Sequence, residues 1–309
     1  MKVVVTGGAG FIGANVCRAL RSAGHDVAAF DDLSTGRVEN LVGIGAELVE
    51  GSILDAEALD QVVAGAGAVV HLAARPSVPR SLTDPMASHT VNATGTVQVL
   101  EAVRRAGDAQ VIVASSSSVY GSNPGMPKTE DLVPMPMSPY AASKLATESY
   151  ALAHGAAFGM DVLALRFFNV FGPLQPAGHA YAAVVPAFVE AALAGRPLPV
   201  QGDGRQTRDF TYVATVADVV TDAVGRRVTS DRPVNLAFGS RVSLLELVEL
   251  LGKVLGADLE LEHAPARVGD VRDSQADQTR LRALFPDVEP VDLETGLRAT
   301  IDWFRSTTA

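Results

Sequence analysis

Tyr140 and Lys144, in the run Tyr140-Ala-Ala-Ser-Lys144, have the spacing of one helical turn. On a helix that spacing puts a phenol and an ammonium on the same face. An ammonium near a phenol favours the phenolate and lowers its pKa from about 10 toward a value useful for general-base catalysis near neutrality. A second constellation lies at the start of the chain, where Gly7, Gly10 and Gly13 form G-x-x-G-x-x-G directly after an apolar run. Each glycine removes a β-carbon where a turn must be tight or where backbone must approach phosphate. The helix that follows aims its N-terminal amides at the anion. A dinucleotide cradle and a tyrosine activated by a lysine together move a proton and a hydride. The chemistry is the oxidation of an alcohol, at least transiently.

Two further groups fit that chemistry. Asp31 closes the next apolar strand. A carboxylate there can accept both hydroxyls of an adenosine ribose and would repel a 2′-phosphate, so NAD is expected over NADP. Val113-Ala114-Ser115-Ser116-Ser117-Ser118 ends another strand. In a doubly wound sheet the carboxyl ends of strands line the ligand crevice, so these hydroxyls are expected to face it.

The elements that must position these residues follow from the periodicity. Strands are predicted at Lys2–Thr6, Val27–Asp31, Glu47–Glu50, Ala68–Leu72, Val111–Ser115 and Val162–Arg166. Helices are predicted from about Phe11 to Ala23, Pro85 to Ala106 and Pro139 to Gly155, with Ser138-Pro139 as N-cap and first residue of the last. Strands alternating with helices predict an α/β fold with a doubly wound parallel (Rossmann) sheet. Beyond Arg166 the rhythm changes. A loop punctuated by Gly, Pro and Gln over Gly172–Gly178 precedes a helix from about Tyr181 to Leu193. Ser243 is expected to cap a helix Leu244–Leu255, and a last helix runs from about Leu293 to Arg305. The expected division is a nucleotide-binding domain over 1–167, also receiving 211–238, and a smaller α/β C-terminal domain of 168–210 and 239–309.

Composition narrows the partners. The chain has 309 residues, 48% of them hydrophobic, which readily supplies a sizeable core. A net charge of −10 argues against nucleic acid or an anionic membrane as the main partner. Cys17 is the single cysteine, so no disulfide framework is expected, and the histidines show no metal-ligand spacing. No apolar stretch reaches the ~18 residues of a membrane span, and the first strand begins directly after Met1. A cytoplasmic location is expected.

Quoted in order, TGGAGFIG (6–13), FDDLSTG (30–36), HLAA (71–74), NATGT (92–96), ASSSSVYG (114–121), SPYAASK (138–144), RFFNVFGP (166–173), GDGRQTRDFTYV (202–213) and RVGDVRDSQAD (267–277) span nearly the whole chain. With these motifs the chain resembles the extended short-chain dehydrogenase/reductase superfamily, in its NAD-dependent nucleotide-sugar epimerase/dehydratase branch. The resemblance implies a catalytic Ser116, Tyr140 and Lys144. Around NAD it places Gly7, Gly10, Phe11, Ile12 and Gly13 of the glycine turn, and Asp31, Asp32, Ser34, Thr35 and Gly36 after the second strand. Ser52, Ile53, Leu72, Ala73, Ala74, Asn92, Ser115 and Val170 complete that set with Tyr140 and Lys144. Ser116, Ser117, Asn169, Arg208, Arg267, Asp270 and Ser274 would meet the nucleotide sugar, with arginine forks suited to its diphosphate. Relatives are often homodimers packed through two helices each, here those starting at Pro85 and Pro139.

The resemblance also bears on the reaction. Similar 4,6-dehydratases carry Asp-Glu just after the catalytic residue, where this chain has Ser117 and Ser118. Similar uronic-acid epimerases have a threonine at the place of Asn169. A UDP-sugar 4-epimerase is therefore expected, with Ser274 leaving space for a 2-acetamido group. A dehydratase or 4-keto reductase of the same branch, and a non-catalytic NAD-binding sensor, are the alternatives. Two departures stand out. Ser52 replaces an aspartate that commonly holds the adenine amino group, and Thr215 is expected to take over part of a helix cap usually supplied by aspartates.

Overall fold

The computed structural model describes residues 1–177, 183–265 and 272–308. Seven strands form one parallel sheet in the order Val234–Leu236, Val162–Phe167, Gln110–Ser116, Ala68–His71, Lys2–Thr6, Asp26–Asp31 and Glu47–Glu50. The chain winds away from Lys2–Thr6 in one direction and then returns to build the other half. A topological switch point therefore lies between Lys2–Thr6 and Ala68–His71, where such sheets bind ligands beyond the strand ends.

Both sheet faces are buried, which explains the nearly continuous apolar runs. Val3, Val5, Val70 and Ile112 pack with Val16 and Leu20 of helix Phe11–Ser22 and with Val216 and Val220 of helix Val213–Arg226. Their neighbours Val4, Val69, Val111 and Val113 point the other way, as strand alternation requires. They meet Leu59, Leu100 and Ala151 from helices Ala56–Val63, Gly95–Ala106 and Pro139–Phe158. A further apolar centre forms later in the chain. Val185 and Phe188 of helix Val184–Leu193, Leu247 and Leu251 of helix Leu244–Leu255, and Leu297 and Ile301 of helix Leu293–Thr308 share it.

The predicted caps form as written. Ser138 Oγ accepts from Ala141 N at 3.1 Å ahead of Pro139, and Ser243 makes a reciprocal capping box with Glu246. The helix that starts at Pro139 does not stop at Gly155. It continues to Phe158 and ends on Gly159 in the left-handed region. Gly155 is instead a close-approach site, because a β-carbon there would lie 2.7 Å from Val162 Cγ2. The helix after Pro85 is interrupted by a π-turn at Thr90–Thr94, which carries Asn92. The helix expected from Tyr181 begins at Val184, and Tyr181 itself lies outside the described residues.

Thr215 overturns its expected role. Helix Val213–Arg226 starts without any side-chain cap. The Thr215 side chain is fully buried, and its hydroxyl accepts a hydrogen bond from Val291 N at 3.0 Å, tying down the approach to the last helix. Thr215→Val should therefore leave a partly buried amide unpaired and cost about 1 kcal/mol. Urea unfolding of the variant and its parent measures this; an unchanged midpoint would refute it.

Cys17 is fully buried under the glycine turn, its thiol 3.9 Å from Gly8 O, and burial pushes its pKa up to about 12. Among the described residues no helix is long and apolar enough to cross a membrane, and no His/Cys/Asp/Glu group could hold a metal ion.

Candidate active site

A cleft of about 950 Å³ opens over the carboxyl ends of the strands. It begins at the glycine turn. Gly7 has φ +69°, and a β-carbon on it would lie 2.8 Å from Ala73 N, so the turn packs backbone to backbone against the segment after the fourth strand. A β-carbon on Gly13 would lie 2.0 Å from Gly7 O. Gly10 is the N-cap of helix Phe11–Ser22 and brings no side chain to its first amides, which are left to a ligand anion. Phe11, Ile12, Leu72, Ala73 and Ala74 complete this end of the wall.

Asp31 lies beside the turn and is held from both sides. Its Oδ2 accepts from Ala9 N and its Oδ1 from Leu33 N, each at 2.9 Å. Burial raises its pKa while these two amides oppose the rise. Each oxygen keeps a second lone pair, enough for the paired hydroxyls of a ribose. Asp32 accepts from Ser34 N at 3.0 Å and from Ser34 Oγ at 2.6 Å, which shapes the turn that leads to Thr35. Asp32, Ser34, Thr35 and Ile53 line the cleft. Gly36 and Ser52 adjoin these lining residues in the chain. A β-carbon on Gly36 would lie 2.7 Å from Asp31 Oδ1, and Ser52 Oγ accepts from Leu54 N at 3.2 Å.

The other end of the wall holds Ser116, Tyr140 and Lys144 together. Ser116 ends the fifth strand, and its hydroxyl accepts from Ser118 N at 3.2 Å and Ser118 Oγ at 3.0 Å. Lys144 Nζ donates to Ala114 O at 2.9 Å; burial lowers its pKa to about 8. The phenol departs from expectation. Burial raises the pKa of Tyr140, and a hydrogen bond with Ser116 works in the opposite direction. Desolvation of the anion thus outweighs that bond, and the shift runs opposite to the fall that helical spacing promised. A cationic ring placed over the phenol would supply the missing attraction.

Asn92 is fully buried and acts as a clamp. Its Oδ1 accepts from Arg75 N at 2.7 Å, while Nδ2 donates to Arg75 O at 3.2 Å and Ser143 Oγ at 2.9 Å. It fixes the segment after Ala74 against helix Pro139–Phe158. His71 beneath this segment is neutral, its pKa lowered by burial to about 3. Its Nδ1 lies 2.8 Å from Thr6 Oγ1 and its Nε2 3.1 Å from Thr96 Oγ1. Ser115 belongs to the wall, yet its hydroxyl is spent inside the protein, donating to Glu148 Oε2 at 2.6 Å.

Asn169 and Val170 join the cleft to a smaller cavity of about 200 Å³. Asn169 has φ +31°, and its Nδ2 donates to Asp209 O at 3.1 Å. Arg208 lines the smaller cavity and donates to Thr207 O at 2.8 Å and Arg272 O at 3.2 Å. Ser274 is buried on the neighbouring segment, its backbone N donating to Thr207 O at 3.2 Å. Ser117 starts the short turn Ser117–Tyr120 behind Ser116. Arg267 and Asp270 lie outside the described residues. Arg75, Arg80 and Gln175 also line the cleft without having been singled out in the sequence. The Arg-Pro directly after HLAA was the available signal for the first of these.

A parallel sheet with a glycine turn at its switch point, and a Ser, Tyr and Lys at the far end of one cleft, defines a dinucleotide-dependent enzyme of the short-chain dehydrogenase/reductase type. The chain belongs to the NAD dependent epimerase/dehydratase family, whose model matches residues 3–237. It is 40% identical to a UDP-glucose 4-epimerase of Mycolicibacterium smegmatis over 99% of both chains. Among solved structures it resembles a UDP-N-acetylglucosamine 4-epimerase of Methanobrevibacter ruminantium, with a TM-score of 0.93, 36% identity, and 99% of this chain and 98% of that one covered. A UDP-glucose 4-epimerase of Thermotoga maritima bound to UDP-glucose gives 0.92 at 35% identity, with both chains covered completely. NAD is the cofactor of this family, and the bare helix N-terminus and the free lone pairs of Asp31 fit it.

Proposed function

We propose that the protein is an NAD-dependent UDP-sugar 4-epimerase acting on both UDP-glucose/UDP-galactose and UDP-N-acetylglucosamine/UDP-N-acetylgalactosamine. The observation that carries this reading is the meeting of Ser116, Tyr140 and Lys144 in one cleft that starts at the glycine turn. Residues 1–167 and 211–238 hold the dinucleotide, and 168–210 with 239–309 hold the nucleotide sugar. When bound, NAD+ supplies a hydride acceptor for C4 of the sugar. Tyr140 takes the proton of the 4-hydroxyl and Ser116 orients that hydroxyl. Lys144 keeps positive charge beside the phenol. Asn169 and Arg208 hold the nucleotide sugar through the smaller cavity, so that the 4-keto sugar can turn its other face before C4 regains the hydride and O4 the proton.

Dehydration would need a further acid and base at the sugar. Ser117 and Ser118 occupy those places, and among the described residues the carboxylates in the cleft wall are Asp31 and Asp32, at its opposite end. This supports epimerisation over loss of water. Support for the wider sugar range is the small Ser274 beside the Arg208 strand.

NMR of the purified protein with equimolar UDP-galactose and UDP-N-acetylgalactosamine and trace NAD+ tests both parts. Conversion of both toward their gluco epimers is the expected result. Conversion of one alone would remove the range assignment, and conversion of neither would remove the reaction. Ser274→Tyr is expected to abolish turnover of the acetamido substrate while sparing UDP-galactose; equal loss of both would argue against Ser274 as the determinant.

A further inference from the structure

Behind the catalytic wall lies a buried ion pair that the chemistry above does not use. Glu148 and Arg166 are almost completely buried. Arg166 Nε donates to Glu148 Oε2 at 3.0 Å and Nη2 to Oε1 at 2.6 Å, a two-pronged contact. The remaining nitrogen, Nη1, has no hydrogen-bond acceptor, and the guanidinium instead stands over the Tyr120 ring, 4.7 Å from its centroid. Tyr120 in turn donates to Asn235 Oδ1 at 2.6 Å on the edge strand. On the active-site side, Ser115 Oγ donates to Glu148 Oε2 at 2.6 Å and also lies 3.3 Å from Lys144 O.

Glu148 continues the helical face of Tyr140 and Lys144 one turn further on. Ser115 is the strand neighbour of Ser116. One carboxylate therefore joins the strand end that presents Ser116 to the turn of helix that presents Lys144. Buried ion pairs contribute little net stability and are costly to build. Here the pair is bonded to Ser115, the strand residue next to Ser116, and its Glu148 lies one helical turn beyond Lys144.

We propose that Glu148, held by Arg166, is a positioning residue that sets the distance between Ser116 and the Tyr140/Lys144 face through the hydroxyl of Ser115. The inference deepens the epimerase reading and rests on it for its kinetic readout. Loss of the link lets the strand end drift from the helix. Small displacements of reacting groups lower the rate of the chemical step far more than they weaken binding.

The test uses Ser115→Ala, which cuts the link and leaves the ion pair intact, and Glu148→Gln, which removes the carboxylate itself. Each is compared with its parent for kcat and KM with UDP-galactose, NAD content, melting temperature and the phenol titration. The titration is the pH-difference absorbance against a Tyr140→Phe reference and needs no substrate. Ser115→Ala is expected to lower kcat by about tenfold with KM nearly unchanged. Its NAD content and melting temperature should match the parent, and its phenol should titrate at higher pH as the Ser116 contact weakens. Glu148→Gln should lose at least as much kcat; if it does not fold, Ser115→Ala decides alone. Parental kcat and parental phenol titration in Ser115→Ala would overturn the proposal, as would a loss of kcat matched by lost NAD or lowered melting. A parent that converts no UDP-galactose would sink the epimerase reading instead, while the phenol titration still reports on the link.

Discussion

Tyr140→Phe is expected to lower kcat for sugar interconversion by about 10²- to 10⁴-fold, the usual weight of a positioned general acid–base, while NAD remains bound. The phenol is half-buried in the cleft wall it shares with Ser116, whose hydroxyl lowers its pKa against the effect of desolvation. A phenylalanine fills the same space and removes only the proton-carrying oxygen. Melting temperature and NAD content should therefore match the parent, which separates a chemical defect from a folding defect. Because burial holds the phenol above its ordinary range in the protein alone, a second result follows. Saturation with NAD+ should move its titration to lower pH, read as phenolate absorbance in the parent and missing in Tyr140→Phe. A titration that is indifferent to NAD+ would refute the role given to the cationic ring.

Gly13→Ala is expected to be the most damaging single-methyl change in the glycine turn. Its β-carbon would fall 2.0 Å from Gly7 O and 2.8 Å from the Cα of Gly8, both backbone, so no side chain can swing aside. The helix must move away from the turn. Overpacking of this kind costs about 1–3 kcal/mol. If the first-turn amides hold the diphosphate as proposed, the same displacement withdraws them, and loss of NAD should exceed the loss expected from stability alone. Calorimetry with NAD+ and a denaturant titration measure the two effects. Retention of parental NAD affinity would show that the helix N-terminus is not the diphosphate site.

The parts of this protein legible in its sequence are those set by short-range rules. The glycine turn, the Ser138-Pro139 cap and the Tyr140/Lys144 spacing each depend on neighbours within a few residues, and the structure builds all of them. The strand Val234–Leu236 was harder to see. It is three residues long with Asn235 at its centre, and that side chain is satisfied by Tyr120 OH and Lys128 O, groups far away in the chain. Alternating hydrophobicity cannot announce such an element. Thr215 misled for the same reason. Its partner Val291 is brought near only by the last turns of the fold, whereas a helix start is always close at hand. The phenol shows the limit for chemistry. Helical spacing predicts which groups share a face, but not how far the fold desolvates the phenol, and desolvation decides the sign of the shift. Ser115 likewise reads as a cleft hydroxyl by position alone, and only the buried Glu148 beneath it reveals where its proton goes.

The lone thiol offers an experimental handle. Cys17 sits on the inner face of the helix that follows the glycine turn, out of reach of solvent and protonated at any ordinary pH. The folded protein therefore behaves toward alkylating reagents as though it had no cysteine. Any labelling that does occur must wait for that helix to lift from the sheet, so its rate times the opening of the glycine turn. Slower labelling with NAD+ present would measure how firmly the cofactor latches the turn, with no mutation and no probe added to the chain. The same inertness leaves the surface free for a single engineered cysteine to carry a fluorophore without a competing site.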